Sequence, residues 1–284
     1  MRWPPPPDWP MADHSRRVLC RPHRWHVQEA GPADAPLILL LHGAGGAAQS
    51  WRGVFPLLAR THRVVALDLP GQGFTALGAR ARTGLAPMAA DIATLMRQEG
   101  WAPAAVVGHS AGGAIALAMA RDGALPGACI VGINAALQAF DGVAGWLFPV
   151  LARALAVTPL TAMAFSATAG TGTVRRLLAG TGSALDDRGV ALYRALVGDR
   201  GHVDATLSMM AHWSLDGLIA ALPDIAHPVT LITGDGDRAV PPATSRDAAA
   251  RLPGGRHIAV PGLGHLMHEE APEQVTDLIR DAMS

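Results

Sequence analysis

Ser110 stands between two glycines in Gly108-His109-Ser110-Ala111-Gly112, after the apolar run Ala104–Val107 and before the small, apolar, helix-length stretch Ala111–Arg121. A Gly-x-Ser-x-Gly pattern at a strand-to-helix junction is the signature of a tight turn that exposes a serine hydroxyl as a nucleophile. Glycine is expected at 108 and 112 because neighbouring backbone comes so close there that a β-carbon would clash. A free serine hydroxyl is a weak nucleophile and needs a base and an acid that orients it.

Both occur downstream. The run Val229–Thr233 ends in Gly234-Asp235-Gly236-Asp237, and the run His257–Val260 ends in Pro261-Gly262-Leu263-Gly264-His265. A carboxylate just beyond one strand can fix the tautomer of a histidine on the loop after the next. Asp237 is favoured as the acid, with Asp235 as a turn residue. His265, directly after Gly264, is favoured as the base over its rival His268. The chain order serine, aspartate, histidine is that of α/β hydrolases and differs from the two protease orders.

Acyl transfer also needs donors for the charge that develops on the substrate oxygen. His42-Gly43-Ala44-Gly45-Gly46 ends the run Leu37–Leu41. The backbone N–H groups of Ala44 and of Ala111, the residue after the serine, are the expected oxyanion donors. His42 reads as a structural hydrogen-bonding residue. His109, His212 and His227 read as structural or surface groups. No cofactor is expected: metal-ligand spacing, a phosphate loop and a dinucleotide fingerprint are all lacking.

These residues need a scaffold that brings several strand ends to one edge. The runs Leu37–Leu41, Arg63–Leu67, Ala104–Val107, Ala128–Ile133, Val229–Thr233 and His257–Val260 read as strands buried on both faces. Between them, Ser50–Arg60, Pro87–Gln98, Ala111–Arg121, Ser245–Arg251 and Glu273–Met283 read as helices, the second stopped by Gly100. This β-α alternation predicts an α/β fold with a mostly parallel, twisted sheet flanked by helices. Arg17–Cys20 and Trp25–Glu29 read as an antiparallel hairpin at its edge. The alternation fails from 138 to 222, a stretch too long for a loop. It is expected to be an inserted helical cap between core segments 1–137 and 223–284. Trp146, Phe148, Met163, Phe165, Met209, Met210 and Trp213 are candidates to line a flat apolar pocket beneath it.

Composition narrows the function classes. Across 284 residues, 23 Lys plus Arg balance 23 Asp plus Glu, and no basic stripe suggests nucleic-acid binding. Two cysteines, Cys20 and Cys129, make no disulfide framework and fit a reducing cytoplasm. Met1–Pro10, with four consecutive prolines, reads as a tail rather than a signal peptide. Val143–Phe165 nearly reaches membrane-spanning length but contains Arg153, Pro149 and Pro159. It reads as short helices over a pocket, with peripheral membrane contact left open.

Through its serine turn, acid, base and oxyanion loop, the chain resembles the α/β-hydrolase superfamily. Further motifs narrow the resemblance: Met1-Arg2-Trp3 with Asp8-Trp9-Pro10, Arg24-Trp25-His26-Val27-Gln28, Asp68-Leu69-Pro70-Gly71-Gln72-Gly73-Phe74-Thr75, Asn134-Ala135-Ala136-Leu137 and Gly180-Thr181-Gly182-Ser183. These are similar to the BchO-type magnesium-chelatase accessory proteins of bacteriochlorophyll biosynthesis. Gln72 departs from the histidine common in that loop. The resemblance implies a role near magnesium insertion into protoporphyrin, in photosynthetic pigment synthesis. Three readings follow. The first is a serine hydrolase acting on an ester or related carbonyl bond of a large apolar substrate, such as a tetrapyrrole. The second is a non-catalytic accessory protein that binds porphyrin or a chelatase subunit. The third is a generic esterase or carbon–carbon bond hydrolase. An aspartate nucleophile of the dehalogenase type is disfavoured by Ser110.

Overall fold

The computed structural model describes residues 1–138 and 170–284. Eight strands form one sheet: β1 (Ser15–Cys20), β2 (His23–Ala30), β3 (Leu37–Leu41), β4 (Arg63–Leu67), β5 (Ala105–His109), β6 (Cys129–Ile133), β7 (Val229–Gly234) and β8 (Gly255–Val260). Their order is β1-β2-β4-β3-β5-β6-β7-β8. β1 and β2 are antiparallel to each other, and β2 is antiparallel to β4. All other pairings are parallel.

The unbroken apolar runs have a direct explanation in the packing. Along β3, Leu37, Leu39 and Leu41 enter one core cluster, while Ile38 and Leu40 enter the other. β4 divides in the same way, Val65 and Leu67 against Val64 and Ala66. Each face of the sheet is covered, so both sets of side chains must be apolar. Helices Leu85–Glu99 and Ala111–Arg121 contribute to the first cluster, and Val54–Leu58 and Pro272–Met283 to the second. Burying one such leucine contributes roughly 1.5–3 kcal/mol.

Three helix expectations change, and one of them is a shift of bounds, Ser245–Arg251 becoming Pro242–Ala249 with proline opening the helix. Ser50–Arg60 is not one helix but a 3-10 turn, Ala48–Trp51, followed by Val54–Leu58. Pro56 has no N–H to continue the ladder. Gly53 also lies so close to Pro272 that a β-carbon would stand 2.6 Å from its ring. The helix expected from Pro87 starts at Leu85, since proline is tolerated in a first turn. It does stop at Gly100, whose φ of 67° is left-handed and which lets Trp101 N–H reach Met96 O.

Among the described residues, four α-helices, Thr171–Gly180, Asp187–Gly198, Arg200–Ala211 and Asp216–Ala221, fall between β6 and β7. Residues 139–169, and with them Trp146, Phe148, Met163, Phe165 and the Val143–Phe165 stretch, lie outside the described residues. No helix among the described residues is long and apolar enough to cross a membrane. The N-terminal segment is docked: Trp9 is buried against Phe74, their ring centroids 5.1 Å apart. Cys20 is buried, and Cys129 is partly buried at the rim of the second cluster.

Candidate active site

In open parallel sheets, ligands sit beyond the carboxyl ends of the strands, where the strand order reverses. Here β3 has β4 on one side and β5 on the other, with Leu41 paired to Gly108. The His42–Gly46 loop therefore emerges beside the Ser110 turn.

Ser110 has φ 51° and ψ −114°, a conformation costly for a residue with a side chain. Backbone bonds hold it there. Its N–H donates to Ile133 O at 2.9 Å, and its carbonyl accepts from Gly113 and Ala136 at 3.1 and 3.0 Å. A β-carbon on Gly108 would lie 2.3 Å from Gly112 backbone, and one on Gly112 would lie 2.2 Å from Leu41 O. The glycine pattern is thus a packing requirement. The Ser110 hydroxyl makes no hydrogen bond among the described residues, and its side of the turn faces a cavity of about 210 Å³ shared with His265, Ala44 and Ala111.

Asp237 follows β7. Its Oδ1 accepts from Ala239 and Val240 N–H at 2.7 and 2.9 Å, and its Oδ2 lies 2.7 Å from His265 Nδ1. A carboxylate can only accept, so Nδ1 carries the proton, and in the neutral ring Nε2 keeps its lone pair. Asp235 is exposed and accepts from Gly262 N–H at 2.6 Å, a loop tie.

The rival base lies elsewhere. His268 is fully buried, packed at a tilt between Trp51 at 4.6 Å and His109 at 4.4 Å. Burial, aided by His265 and Arg52, pushes its pKa down to about 3. His109 continues the column, 4.7 Å from the His265 ring, and donates Nε2–H to His265 O at 2.9 Å. Burial holds it well below the usual histidine range. Two neutral rings therefore back His265 and do not oppose a positive charge on it.

His42 is fully buried, with Nδ1 donating to Gly43 O at 2.7 Å and Nε2 accepting from Leu69 N–H at 2.9 Å. Both nitrogens are used structurally. Ala44 and Ala111 line the cavity, and neither N–H donates to a backbone or side-chain acceptor among the described residues.

The rest of the cavity is mainly apolar, with Leu177, Leu178, Val197, Val203, Leu207 and Met210 from the helices between β6 and β7. Of the other described pocket candidates, Met209 is buried against Gln72, its Sδ 3.3 Å from Nε2. Trp213 packs on the first core cluster. Neither lines the cavity.

Residue-type reasoning assigned no role to the groups that hold the loops in place. Asn134, at φ 45° after β6, donates Nδ2–H to Gly264 O and His265 O, and accepts from Gly234 N–H. Thr181 O accepts from Arg238 N–H at 3.0 Å and His265 N–H at 3.4 Å, and Ser183 Oγ accepts from Leu266 N–H at 2.8 Å. The motifs around Asn134 and Gly180–Ser183 were visible as family-like strings, but their spacing carries no chemistry by itself.

Comparison with known proteins shows the fold and the family. The profile of the Alpha/beta hydrolase family matches residues 38–278. The chain is 47% identical, over 97% of its length and 96% of the relative's, to the "Magnesium-chelatase 30 kDa subunit" of Rhodobacter capsulatus. An alpha/beta hydrolase fold protein from Burkholderia ambifaria superposes with a TM-score of 0.80 at 25% identity, covering 95% of this chain and 98% of that one. A 2-hydroxy-6-oxo-6-phenylhexa-2,4-dienoate hydrolase from Rhodococcus sp. strain RHA1 gives 0.78 at 21% identity, covering 94% and 97%, a likeness of fold alone.

Proposed function

The chain belongs to the α/β hydrolase family, and from that premise we propose that it is a serine hydrolase using Ser110, Asp237 and His265. The observation that carries this reading is the Asp237–His265 bond at 2.7 Å beside a cavity that also holds Ser110 on its strained turn. Ser110 Oγ attacks the substrate carbonyl carbon while its proton passes to His265 Nε2. Asp237 holds the ring in the required tautomer and stabilises the imidazolium. The N–H groups of Ala44 and Ala111 receive the oxyanion. His265 returns the proton to the departing group, leaving an acyl-serine. Water then adds to the acyl carbon, His265 takes its proton, and Ser110 leaves reprotonated.

The substrate proposed is an ester, or related carbonyl compound, of a large apolar molecule. We divide the chain into a core, 1–137 and 223–284, and a helical cap, 138–222, over the site. The cavity of about 210 Å³ is small beside the usual range of about 300–1,000 Å³. The part it takes is the arm bearing the scissile bond, with the bulk of the molecule at the mouth. The name of the relative from Rhodobacter capsulatus supports placing the reaction near the magnesium-chelatase step; the pathway proposed is bacteriochlorophyll synthesis and the substrate a tetrapyrrole. The chain is proposed to work in the cytoplasm or at the periphery of the membrane.

Fluorophosphonate labelling with peptide mapping tests this without knowledge of the substrate. One adduct at Ser110, absent from Ser110→Ala, supports the reading; well-folded protein that takes no adduct refutes it. The name of the same relative favours one second reading, a non-catalytic accessory that binds porphyrin or a chelatase subunit. Full restoration of pigment by Ser110→Ala in cells lacking this chain would establish that reading instead.

A further inference from the structure

Gly45 follows Ala44 in the loop after β3, and side chains from outside the loop take both of its backbone hydrogen-bonding groups. Its N–H donates to Gln72 Oε1 at 2.8 Å, and its carbonyl accepts from His202 Nε2 at 3.2 Å. Gln72 belongs to the loop after β4, and His202 to the helix Arg200–Ala211. The other nitrogen of His202, Nδ1, accepts from Gly73 N–H at 3.0 Å. One buried ring therefore bridges two loops of the core from a helix between β6 and β7. An accepting Nδ1 leaves the proton on Nε2, where Gly45 O needs it. Only this tautomer of the neutral ring satisfies both bonds. Burial keeps it neutral, its pKa lowered to about 4; the hydrogen bond to Gly45 O and, less, Asp68 oppose the shift, while His42 and the N-terminal ammonium add to it.

Three successive peptide planes of the loop are pinned in this way. The plane that carries Ala44 N–H ends in Gly43 O, which accepts from His42 Nδ1 at 2.7 Å and Gly46 N–H at 3.1 Å. The next plane is held by Gln72 and the third by His202. At its centre Gly45 has φ 76°, and glycine is the residue least able to hold a plane unaided. Oxyanion donors act through preorganisation, so freedom in this loop is paid for in rate.

We infer that His202 is a positioning residue for the oxyanion loop, making the direction of Ala44 N–H depend on the seating of the helix Arg200–Ala211. The inference rests on the proposed hydrolase reading and deepens it: the hole is complete only when that helix is in place. Gln72 is the second half of the same clamp.

The test compares wild type with His202→Leu, His202→Gln and Gln72→Leu on p-nitrophenyl butyrate, together with fluorophosphonate labelling to end point. His202→Leu is expected to lower kcat roughly tenfold or more while KM stays within about twofold, because the loss falls on the transition state. His202→Gln, whose amide still donates to Gly45 O, recovers part of that loss. Gln72→Leu gives the same kcat-selective loss and serves if His202→Leu does not fold. Stoichiometric labelling of Ser110 in each variant shows an intact site. Wild-type kcat in His202→Leu overturns the inference while the hydrolase reading stands. So does a loss confined to KM, or one that His202→Gln does not relieve. A wild type that takes no adduct overturns both, and is recognised before any variant is compared.

Discussion

Asn134 holds the loop of the proposed base: its Nδ2 lies 2.8 Å from the carbonyl oxygen of His265 and 3.0 Å from that of Gly264. Its Oδ1 meanwhile accepts from Gly234 N–H at 3.0 Å, at the end of the strand that leads to Asp237. One amide at the end of β6 thus ties the loops of the proposed acid and base together. His265 O also accepts from His109, so the histidine is fixed by its backbone as well as by its ring.

Replacing Asn134 by alanine strips the partner from two buried backbone groups, Gly264 O and Gly234 N–H, leaves His265 O only its bond from His109, and places a residue less tolerant of the left-handed region at φ 45°. An unsatisfied buried group costs about 1–3 kcal/mol. We expect Asn134→Ala to lose roughly 3 kcal/mol or more in urea unfolding and to lower kcat on p-nitrophenyl butyrate. Wild-type stability in that variant would show that the amide is not the tie described.

The two aspartates after β7 should separate cleanly. Asp237→Asn disturbs a buried carboxylate that accepts three hydrogen bonds and favours the wrong tautomer of His265. The expected drop in kcat is on the order of 10³–10⁴. Asp235→Asn keeps an acceptor for Gly262 N–H at an exposed loop and should stay within about twofold of wild type. The opposite ranking in steady-state kinetics would move the acid to Asp235.

Glycines offer a test of the serine turn that is independent of activity. Gly108→Ala would set a β-carbon 2.3 Å from Gly112 backbone, which only a shift of the turn could relieve. A fall in Tm of many degrees, or no folded protein at all, is expected. Gly172→Ala, in the first turn of Thr171–Gly180 with nothing within 4 Å among the described residues, should be neutral or stabilising by up to about 1 kcal/mol. Equal melting temperatures for the two variants would contradict the close packing drawn for the turn.

The legible parts of the chain were those with a period or a forced residue type. Leu37–Leu41 is apolar throughout because each face of β3 meets a different core cluster, and that requirement is written in the sequence. The glycines around Ser110 are legible for the same reason, since no other residue fits. The break between Ala48–Trp51 and Val54–Leu58 could be read from Pro56 only once its missing N–H was set against the helical spacing. The ties through Asn134, Thr181, Ser183 and His202 were not legible. Each joins segments between 50 and about 160 residues apart, and a lone polar residue does not announce a partner at that range.

Buried neutral histidines set the response to acid. The pKa of His202 is lowered to about 4 and that of His268 to about 3, burial being the main cause for each, against an unfolded value near 6.5. Between 6.5 and those values the unfolded chain binds a proton at each site that the native state does not. Stability therefore rises with pH across this window and is lost as pH falls from about 6.5 toward 4. Each group contributes up to about 1.4 kcal/mol per pH unit. His42 and His109, also lowered by burial, act in the same direction. Asp68, held at about 2 because His26 and its other hydrogen-bond donors outweigh its burial, adds a loss only below about pH 3.8. The two ring nitrogens of His268 have no hydrogen-bond partner among the described residues, so His268→Leu removes a titrating group without breaking a bond. Urea unfolding between pH 7 and 4 should show the variant's slope reduced by about one proton and its stability above wild type at pH 5. An unchanged slope would mean that His268 takes up its proton in the folded protein and is not sealed between Trp51 and His109.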